Sequence, residues 1–358
     1  MMKEKSVTID LVAKTARVSK TTVSRFLNGK FDSMSAETRD RIQKVIEALE
    51  YHPSKIARSL KASSSQTIGC VIADIGSPFS SILLKGINDI CSSSGYQVLF
   101  SDSNSRPERE LDCIQKLLDH QVDGLILNTT GGNDGYLAEL SQKGVPIVLA
   151  DRSIEPRDRI STVTTDNYRS TQACLKLLFE NGYREVAFFT QGNGTVSPRA
   201  IRYQAYLDTM KKLYRKDGAS SFYVIDENDR KGCMDSLADF IKRHPGERHA
   251  VFAVNGVTSL AVLHAVQQAG YRIGEELGLC GFDDWGWASL VPPGITTITQ
   301  DSYGVGTQSA KLLLRRLRGG KPSKPRYVEL PNQLNIRGST NPGLVLETNI
   351  SGRTGEET

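Results

Sequence analysis

Residues 8–28, TIDLVAKTARVSKTTVSRFLN, decide the fold of the first part of this chain. The stretch from Ile9 to Ala16 places apolar residues at helical spacing. After Arg17 and Val18 a second helix can start, with Ser19 as its N-cap. We therefore expect two short helices that meet at a tight turn.

The second of these helices has two chemically different faces. The apolar residues on one face are Val23, Phe26 and Leu27. The residues that point elsewhere are Lys20, Thr21, Ser24 and Arg25. One face can therefore be buried while the other stays polar and forms hydrogen bonds.

Two further helices are predicted before the composition changes. A third helix is expected from about Ser35 to Tyr51, where an imperfect capping box starts it. Pro53 ends that helix, and Ser54 can cap a short fourth one, KIARSLKA. This last helix has too few apolar residues to fold alone, so we expect it to depend on neighbouring structure or on a ligand.

Beyond residue 66 the chain alternates apolar strand-like runs with helical segments. The first group of runs is TIGCVIAD, QVLFSD, VDGLILN and PIVLAD. After about Ser161 a second group follows: EVAFFTQ, SFYVID, HAVFAVN and LGLCGFDD. Strand and helix at this spacing predict two doubly wound parallel sheets, that is, an α/β core. The cleft between two such units is the expected ligand site.

The positive charge of the chain is concentrated at one end. Residues 1–62 contain 13 Lys or Arg and 7 Asp or Glu, a net charge of +6. The remaining 32 basic and 33 acidic residues give a net charge of −1. A small basic unit on a neutral body indicates contact with a polyanion, although a solvated basic surface explains the charge alone equally well.

Several function classes are disfavoured by the sequence. The six cysteines are far apart with no CxxC pair, which favours reduced core thiols over a metal site or disulfides. No secretory signal or membrane-spanning run is found, so the expected compartment is the cytoplasm. The motifs of the common hydrolases, nucleotide-binding enzymes and zinc enzymes are missing, so we expect no catalysis, no cofactor and no metal.

Four motifs resemble the lactose-repressor family of bacterial regulators, in matching order. They are VTIDLVAKTARVSKTTVSRFLNG, YHPSKIARSL, GFDD and PPGITTITQ. The resemblance covers nearly the whole chain. It implies a helix-turn-helix headpiece over 1–53, a hinge helix and linker over 54–65, and a core over 66–340 like that of the periplasmic sugar-binding proteins. In that core, 66–163 with 294–323 would form one subdomain and 164–293 with 324–340 the other, before a mobile tail over 341–358.

The sequence departs from the family pattern at three positions. Arg17 stands in the headpiece turn where many members have Gly, so it must adopt an uncommon backbone conformation or contact a phosphate. Ser54 stands where Asn is common, and both residues cap helices. Ser77 replaces the Asn of an NPF motif.

The resemblance also implies the residues that contact double-stranded operator DNA. Lys20, Thr21 and Arg25 would read bases in the major groove. Contacts to phosphate would come from Thr8, Ser24 and Asn28, for which helix capping is the alternative role. Leu60 would wedge into the minor groove, which Ala57 lines, unless Leu60 simply packs on the core. Two hinge helices are needed to fill that groove, so a homodimer is implied.

In the core, the resemblance implies an effector site at strand ends and helix starts. Charged and amide side chains there would hold hydroxyl and carboxylate groups, foremost Asp283 and Arg202. The other members of this polar set are Ser77, Asp151, Asn255 and Gln300. Phe79 and Trp285 would stack on a sugar ring. Each residue taken singly has a structural ion pair or core role as its alternative.

The family implies a transcription regulator, usually a repressor, whose operator affinity a small sugar or sugar acid controls allosterically. The stretch GFDDWGWASLVPPGITTI resembles regulators of ketogluconate or 2-keto-3-deoxygluconate use. Three alternatives remain. A catabolite-control type regulator would answer to a partner protein, whereas a sugar-binding protein or an enzyme would use the same core fold without the headpiece.

Overall fold

The computed structural model describes residues 7–32, 34–51, 64–192, 196–319, 324–341 and 343. It divides into two compact units, Met1–Ser65 and Gln66–Thr358. Most of the predicted hinge segment, with Ala57 and Leu60, lies outside the described residues, as does the predicted tail from residue 344 onward.

The described part of the first unit consists of helices around a small core. These helices are α1 (Ile9–Thr15), α2 (Lys20–Leu27) and α3 (Ala36–Ala48). The predicted cap is confirmed at Ser19, whose hydroxyl accepts a hydrogen bond from the Thr22 amide. The core is formed by Val12, Ala13, Val23, Ile42 and Tyr51.

Two details of this unit concern backbone conformation. Arg17, in the turn between α1 and α2, has a φ of +54°, which confirms the strained alternative predicted for it. The prediction that α3 reaches Tyr51 is wrong, because the helix ends at Ala48. Glu50, with a φ of +47°, turns the chain out of the right-handed helical region.

The second unit contains two six-stranded sheets of matching strand order. The first sheet has the order β11-β5-β4-β3-β1-β2 and is parallel throughout. Its strands are β1 (Thr67–Ile72), β2 (Gln97–Asp102), β3 (Gly124–Leu127), β4 (Ile147–Ala150), β5 (Ser161–Thr165) and β11 (Tyr327–Leu330). The predicted doubly wound α/β class is confirmed for this sheet.

The second sheet has the order β12-β10-β9-β8-β6-β7, and only its edge strand β12 is antiparallel. Its strands are β6 (Glu185–Gln191), β7 (Phe222–Ile225), β8 (His249–Ala253), β9 (Leu277–Phe282), β10 (Thr296–Thr299) and β12 (Gln333–Asn335). Matching strand orders mean that β4 and β9 occupy equivalent places in the two sheets.

Helices cover both faces of each sheet, so the central strands are buried on both sides. These helices are α4 (Pro78–Ser93), α5 (Pro107–Asp119), α6 (Asp134–Gln142), α7 (Asn167–Glu180), α8 (Ser197–Thr209), α9 (Arg230–Arg243), α10 (Gly256–Ala269) and α11 (Ser302–Leu317). The strand Ile147–Ala150, for example, is buried at every residue. Four apolar clusters, two for each sheet, form the core.

Within the described residues the chain passes between the two sheets three times, after β5, after β10 and after β11. Two parts of the predicted subdomain division are therefore wrong. The strand β10 belongs to the second sheet because it pairs with β9, with Thr296 opposite Cys280. The strand β11 belongs to the first sheet because it pairs with β5, with Tyr327 opposite Thr162.

Hydrogen bonds tie the three crossing segments to one another. The Thr165 hydroxyl donates to the side-chain oxygen of Gln300 at 2.9 Å. The Asp166 amide donates to the Leu330 carbonyl at 2.9 Å. The side chain of Asn332 donates to the Asp166 carbonyl at 2.9 Å. A change of angle between the sheets must therefore alter, or turn about, this small bonded group.

The described helices were also compared with the requirements of a lipid bilayer. None of them combines the length and the apolar composition that crossing a membrane requires.

Candidate functional site

The residues predicted to read DNA bases lie together on α2. Lys20, Thr21 and Arg25 are exposed, and Ser24 is half-buried. Lys20 forms an ion pair with Asp10 of α1. This polar face lies opposite the buried Val23, so α2 presents donors and acceptors of the kind that pair with base edges in the major groove.

Thr8 and Asn28 lie at helix ends and cap them. The Thr8 hydroxyl accepts a hydrogen bond from the Leu11 amide at 3.4 Å. The Asn28 side chain donates to the Ser24 carbonyl at 2.8 Å. The capping alternative is thus observed for both side chains, while a phosphate contact from their remaining polar atoms stays a prediction.

A cavity of about 540 Å³ lies in the second unit, between the two sheets. Seven of the eight predicted effector residues line it: Ser77, Phe79, Asp151, Arg202, Asn255, Asp283 and Gln300. They come from both subdomains, and most stand at strand ends or helix starts. This placement is typical of ligand sites in doubly wound folds.

Asp151 and Asp283 occupy equivalent places in the two sheets. Each directly follows its strand, β4 or β9, and each has a positive φ, +70° and +72° respectively. The Asp151 amide donates to the Val163 carbonyl at 2.7 Å, and the Asp283 amide donates to the Ile298 carbonyl at 2.9 Å. Non-glycine residues held in this conformation are often found at functional sites.

The two carboxylates differ in their surroundings. Asp283 accepts hydrogen bonds from the Gln300 side chain at 2.7 Å and from the Gly256 amide at 3.1 Å. Asp151 accepts one from Asn128 at 3.3 Å. Burial raises the pKa of Asp151, and the nearby charges of Arg152 and Arg202 oppose that shift. Both aspartates offer acceptors suited to ligand hydroxyl groups.

Arg202 is buried and donates three hydrogen bonds to the protein. Its Nε donates to Asn167 Oδ1 at 2.7 Å, its Nη1 to the Val254 carbonyl at 2.7 Å, and its Nη2 to Gln300 Oε1 at 2.9 Å. The guanidinium carbon lies 3.5 Å from the centre of the Phe282 ring, a cation–π contact. Burial lowers the pKa of Arg202 to about 10, so the group stays charged at neutral pH.

The predicted aromatic pair is divided. Phe79 lines the cavity and is 8% exposed. Trp285 is not among the lining residues; its half-buried ring packs on the apolar cluster of the first subdomain. A Cβ added to Gly256 would lie 2.6 Å from that ring, so the indole sits directly against the start of α10. The structure therefore gives Trp285 a packing role in place of the predicted stacking on a sugar.

The sequence interpretation missed several polar residues of the cavity. These are Asp74, Asn128, Arg152, Gln191, Arg199 and Glu227. One signal was present, since Arg199 and Arg202 are three residues apart and so share a face of α8. Gln191 gave no such signal, because it meets Asn255, at 2.9 Å, only through the pairing of β6 with β8.

Two family descriptions match this chain. Residues 8–54 match "Bacterial regulatory proteins, lacI family", and residues 68–322 match "Periplasmic binding protein domain". Among curated relatives, the HTH-type transcriptional regulator KdgR of Bacillus subtilis is 38% identical over 341 residues, covering 94% of this chain and 100% of that protein. The HTH-type transcriptional regulator PtxS of Pseudomonas putida is 34% identical over 336 residues, covering 94% and 96%.

Solved structures agree on the fold. A complex of the transcriptional regulator CelR with cellobiose matches with a TM-score of 0.68 and 25% identity, covering 93% of this chain and 99% of that one. A lac repressor dimer bound to operator and the anti-inducer ONPF matches with a TM-score of 0.78 and 22% identity, covering 94% and 99%. With both the headpiece and the core matched, this chain belongs to the lacI family of bacterial transcriptional regulators.

Proposed function

We propose that this regulator is a cytoplasmic repressor that binds operator DNA as a homodimer. Base contacts come from Lys20, Thr21 and Arg25 on α2. A small sugar or sugar acid bound in the cavity between the two sheets changes the operator affinity. The protein acts by binding and conformational change, without catalysis.

One observation carries this proposal: Arg202 lines the cavity and is hydrogen-bonded to two of the three crossing segments. Its partner Gln300 follows β10, and its partner Asn167 follows β5. A ligand that shifts Arg202 therefore acts on the segments about which the sheets can rotate. Such a ligand can favour one angle between the sheets only by binding that state more tightly.

The chemistry of the cavity supports a polyhydroxylated ligand. Carboxylates, amides and guanidinium groups face one another there, and each can pair with hydroxyl groups. The apolar wall contributed by Phe79 suits the carbon-bound face of a sugar. The cellobiose complex of the relative CelR supports the same ligand class.

The test is a titration of labelled operator with the full-length protein, followed by fluorescence anisotropy. The operator is first selected from a random-sequence DNA pool. Sugars, polyols and sugar acids are then added singly to the preformed complex. We expect at least one compound to release the DNA, and one binding site per protomer by calorimetry.

The control is a double variant, Asp283→Asn with Arg202→Lys, which should bind DNA but require far more compound for release. If no sugar derivative changes DNA affinity while a phosphorylated partner protein does, the catabolite-control alternative replaces this proposal. Release of the double variant at the wild-type concentration would place the effector outside this cavity.

A further inference from the structure

Two arginines face the cavity from opposite subdomains. Arg152 directly follows Asp151 at the end of β4 in the first sheet, whereas Arg199 lies in the first turn of α8 beside the second sheet. Both side chains line the cavity. Neither residue belongs to the sequence-predicted site, so the cavity holds more positive charge than Arg202 alone provides.

Each guanidinium is anchored within its own subdomain by neutral oxygen atoms. Arg152 donates from Nη1 to the Thr129 carbonyl at 2.9 Å. Arg199 donates from Nη1 to the Gln191 carbonyl at 2.7 Å and from Nη2 to the Gln191 side-chain oxygen at 3.2 Å. A guanidinium has five N–H donors, so these bonds fix the orientation of each group and leave donors for a ligand.

Little negative charge from the protein offsets this pair. Among the described residues, no carboxylate oxygen comes within 4.0 Å of Arg199, and the nearest one to Arg152 is Asp151 Oδ2 at 4.0 Å. Burial and the positive charge of Arg152 lower the pKa of Arg199 to about 10. Both groups are charged at neutral pH, and they repel each other across the cleft.

We propose that a carboxylate group of the effector binds between Arg152 and Arg199 and bridges the two subdomains. Two planar donor groups on opposite sides match the oxygens of one carboxylate. The bound anion cancels the repulsion between the subdomains and so favours the closed cleft. This assignment rests on the proposed function, because it identifies the charged end of the same effector.

The starts of three helices add positive potential to the same cavity. The helices α4, α5 and α8 each have proline near their first position, and none has a side-chain cap. Ser77, Pro107 and Pro198 from these three starts line the cavity. Helix N-termini carry a partial positive charge and favour anions.

The acidic residues of the cavity do not counter this assignment. Asp74 and Glu227 are exposed. Asp151 and Asp283 are buried, and their oxygens accept hydrogen bonds from protein amides. These four acceptors suit the hydroxyl groups of the ligand, whereas the arginine pair suits its acid end. The cavity as a whole therefore fits a polyhydroxylated chain with one carboxylate.

The test compares two acid and neutral pairs that differ only at the first carbon. These pairs are 2-keto-D-gluconate with D-fructose, and D-gluconate with D-glucitol. Calorimetry on the full chain should show at least one acid binding more than about tenfold tighter than its neutral partner. Arg152→Gln and Arg199→Gln should each weaken binding of that acid roughly ten- to a hundredfold, as the loss of a charge-assisted hydrogen bond does. Neither change should weaken the neutral partner further.

Two further variants separate binding from folding. Arg199→Lys keeps the positive charge and should retain more affinity for the acid than Arg199→Gln does. Arg243→Gln, an exposed arginine of α9 paired with Asp239, should bind the acid like the wild type. Equal losses in the Lys and Gln variants, with a lowered melting temperature, would mean that Arg199 is structural and would overturn the assignment.

The remaining outcomes distinguish this assignment from the proposed function. If neutral sugars, or a sugar phosphate such as D-glucose 6-phosphate, bind tightest and release the operator, the proposed function stands and the carboxylate site is wrong. If acids bind tightest but both Gln variants bind them normally, the carboxylate lies elsewhere in the cavity. If no compound binds or releases DNA, the proposed function fails, and the carboxylate site fails with it.

Discussion

Arg202 Nη2 donates a hydrogen bond of 2.9 Å to Gln300 Oε1, and the same oxygen accepts the Thr165 hydroxyl. Gln300 lies where the chain leaves the second sheet after β10, and its amide nitrogen donates to Asp283. One glutamine side chain thus connects an arginine and an aspartate of the cavity with two crossings. The effector site and the connection between the sheets share this set of hydrogen bonds.

The first prediction concerns the stability of this arrangement. Arg202→Ala should leave the buried acceptors of Asn167, Val254 and Gln300 without their donor. A hydrogen bond to a charged group contributes about 1.5–3 kcal/mol, and we expect the free energy of unfolding of the core to fall by at least that much. Urea unfolding followed by tryptophan fluorescence measures the change.

Its matched control is Arg243→Ala on α9, where the arginine is exposed and pairs with Asp239 at 2.9 Å. An exposed pair of this kind contributes about 0–1 kcal/mol. Similar losses in the two variants would show that the bonds of Arg202 do not stabilise the core.

The second prediction separates charge from shape at Asp283. Asparagine tolerates the positive φ of +72° at this position, so Asp283→Asn should keep the backbone. Because both carboxylate oxygens accept hydrogen bonds, from Gln300 and Gly256, the amide must lose one of them. We expect the concentration of effector needed to release operator DNA to rise about tenfold or more.

Anisotropy of labelled operator, titrated with a compound that releases the wild type, measures this shift. Asp112→Asn, at an exposed residue of α5 paired with Lys116, is the control and should respond like the wild type. If Asp283→Asn no longer bound DNA before any compound was added, Asp283 would be a structural residue and not an effector contact.

The third prediction concerns base reading by Arg25. Arg25→Ala should remove a major-groove contact, cost about 1–3 kcal/mol of specific binding free energy, and relax the preference at one operator position. Selection of binding sites with the variant protein, compared with the wild type, measures the preference. An equal loss of affinity for every DNA sequence would instead assign Arg25 to a phosphate.

The fourth prediction follows from the φ of +54° at Arg17. A non-glycine residue in this region costs on the order of 1 kcal/mol, so Arg17→Gly should stabilise the turn between α1 and α2. Hydrogen exchange of the α2 amides in the full chain should slow severalfold. Arg17→Ala, which keeps a side chain at this φ, should not slow it. A lower affinity of Arg17→Gly for non-specific DNA would also reveal a phosphate contact.

The sequence was most informative where a pattern is local. Ser19 could be identified as a cap because its hydroxyl bonds an amide three residues away. The strands could be identified because burial on both faces requires continuous apolar runs, such as Ile147–Ala150. Asp151 and Asp283 could be assigned because the resemblance supplies positions at strand ends.

The sequence was less informative where the outcome depends on chain crossings. The segments 327–330 and 333–335 are separated by two residues and join different sheets, a choice that their composition does not encode. Arg152 and Arg199 meet only because two subdomains face each other. Trp285 was assigned to stacking because it follows Asp284 at the cavity edge, and its position against Gly256 depends on where α10 begins.

The three passages between the sheets also bear on how such a gene can be recombined. Neither half of the core is one continuous piece of sequence, so exchanging a single half with a relative would require cuts at three places. The headpiece, by contrast, precedes the core as one uninterrupted stretch, and a single cut separates their coding sequences. Exchange between genes of this kind can therefore pair a new DNA target with an old effector in one event, whereas the effector site is inherited as a block.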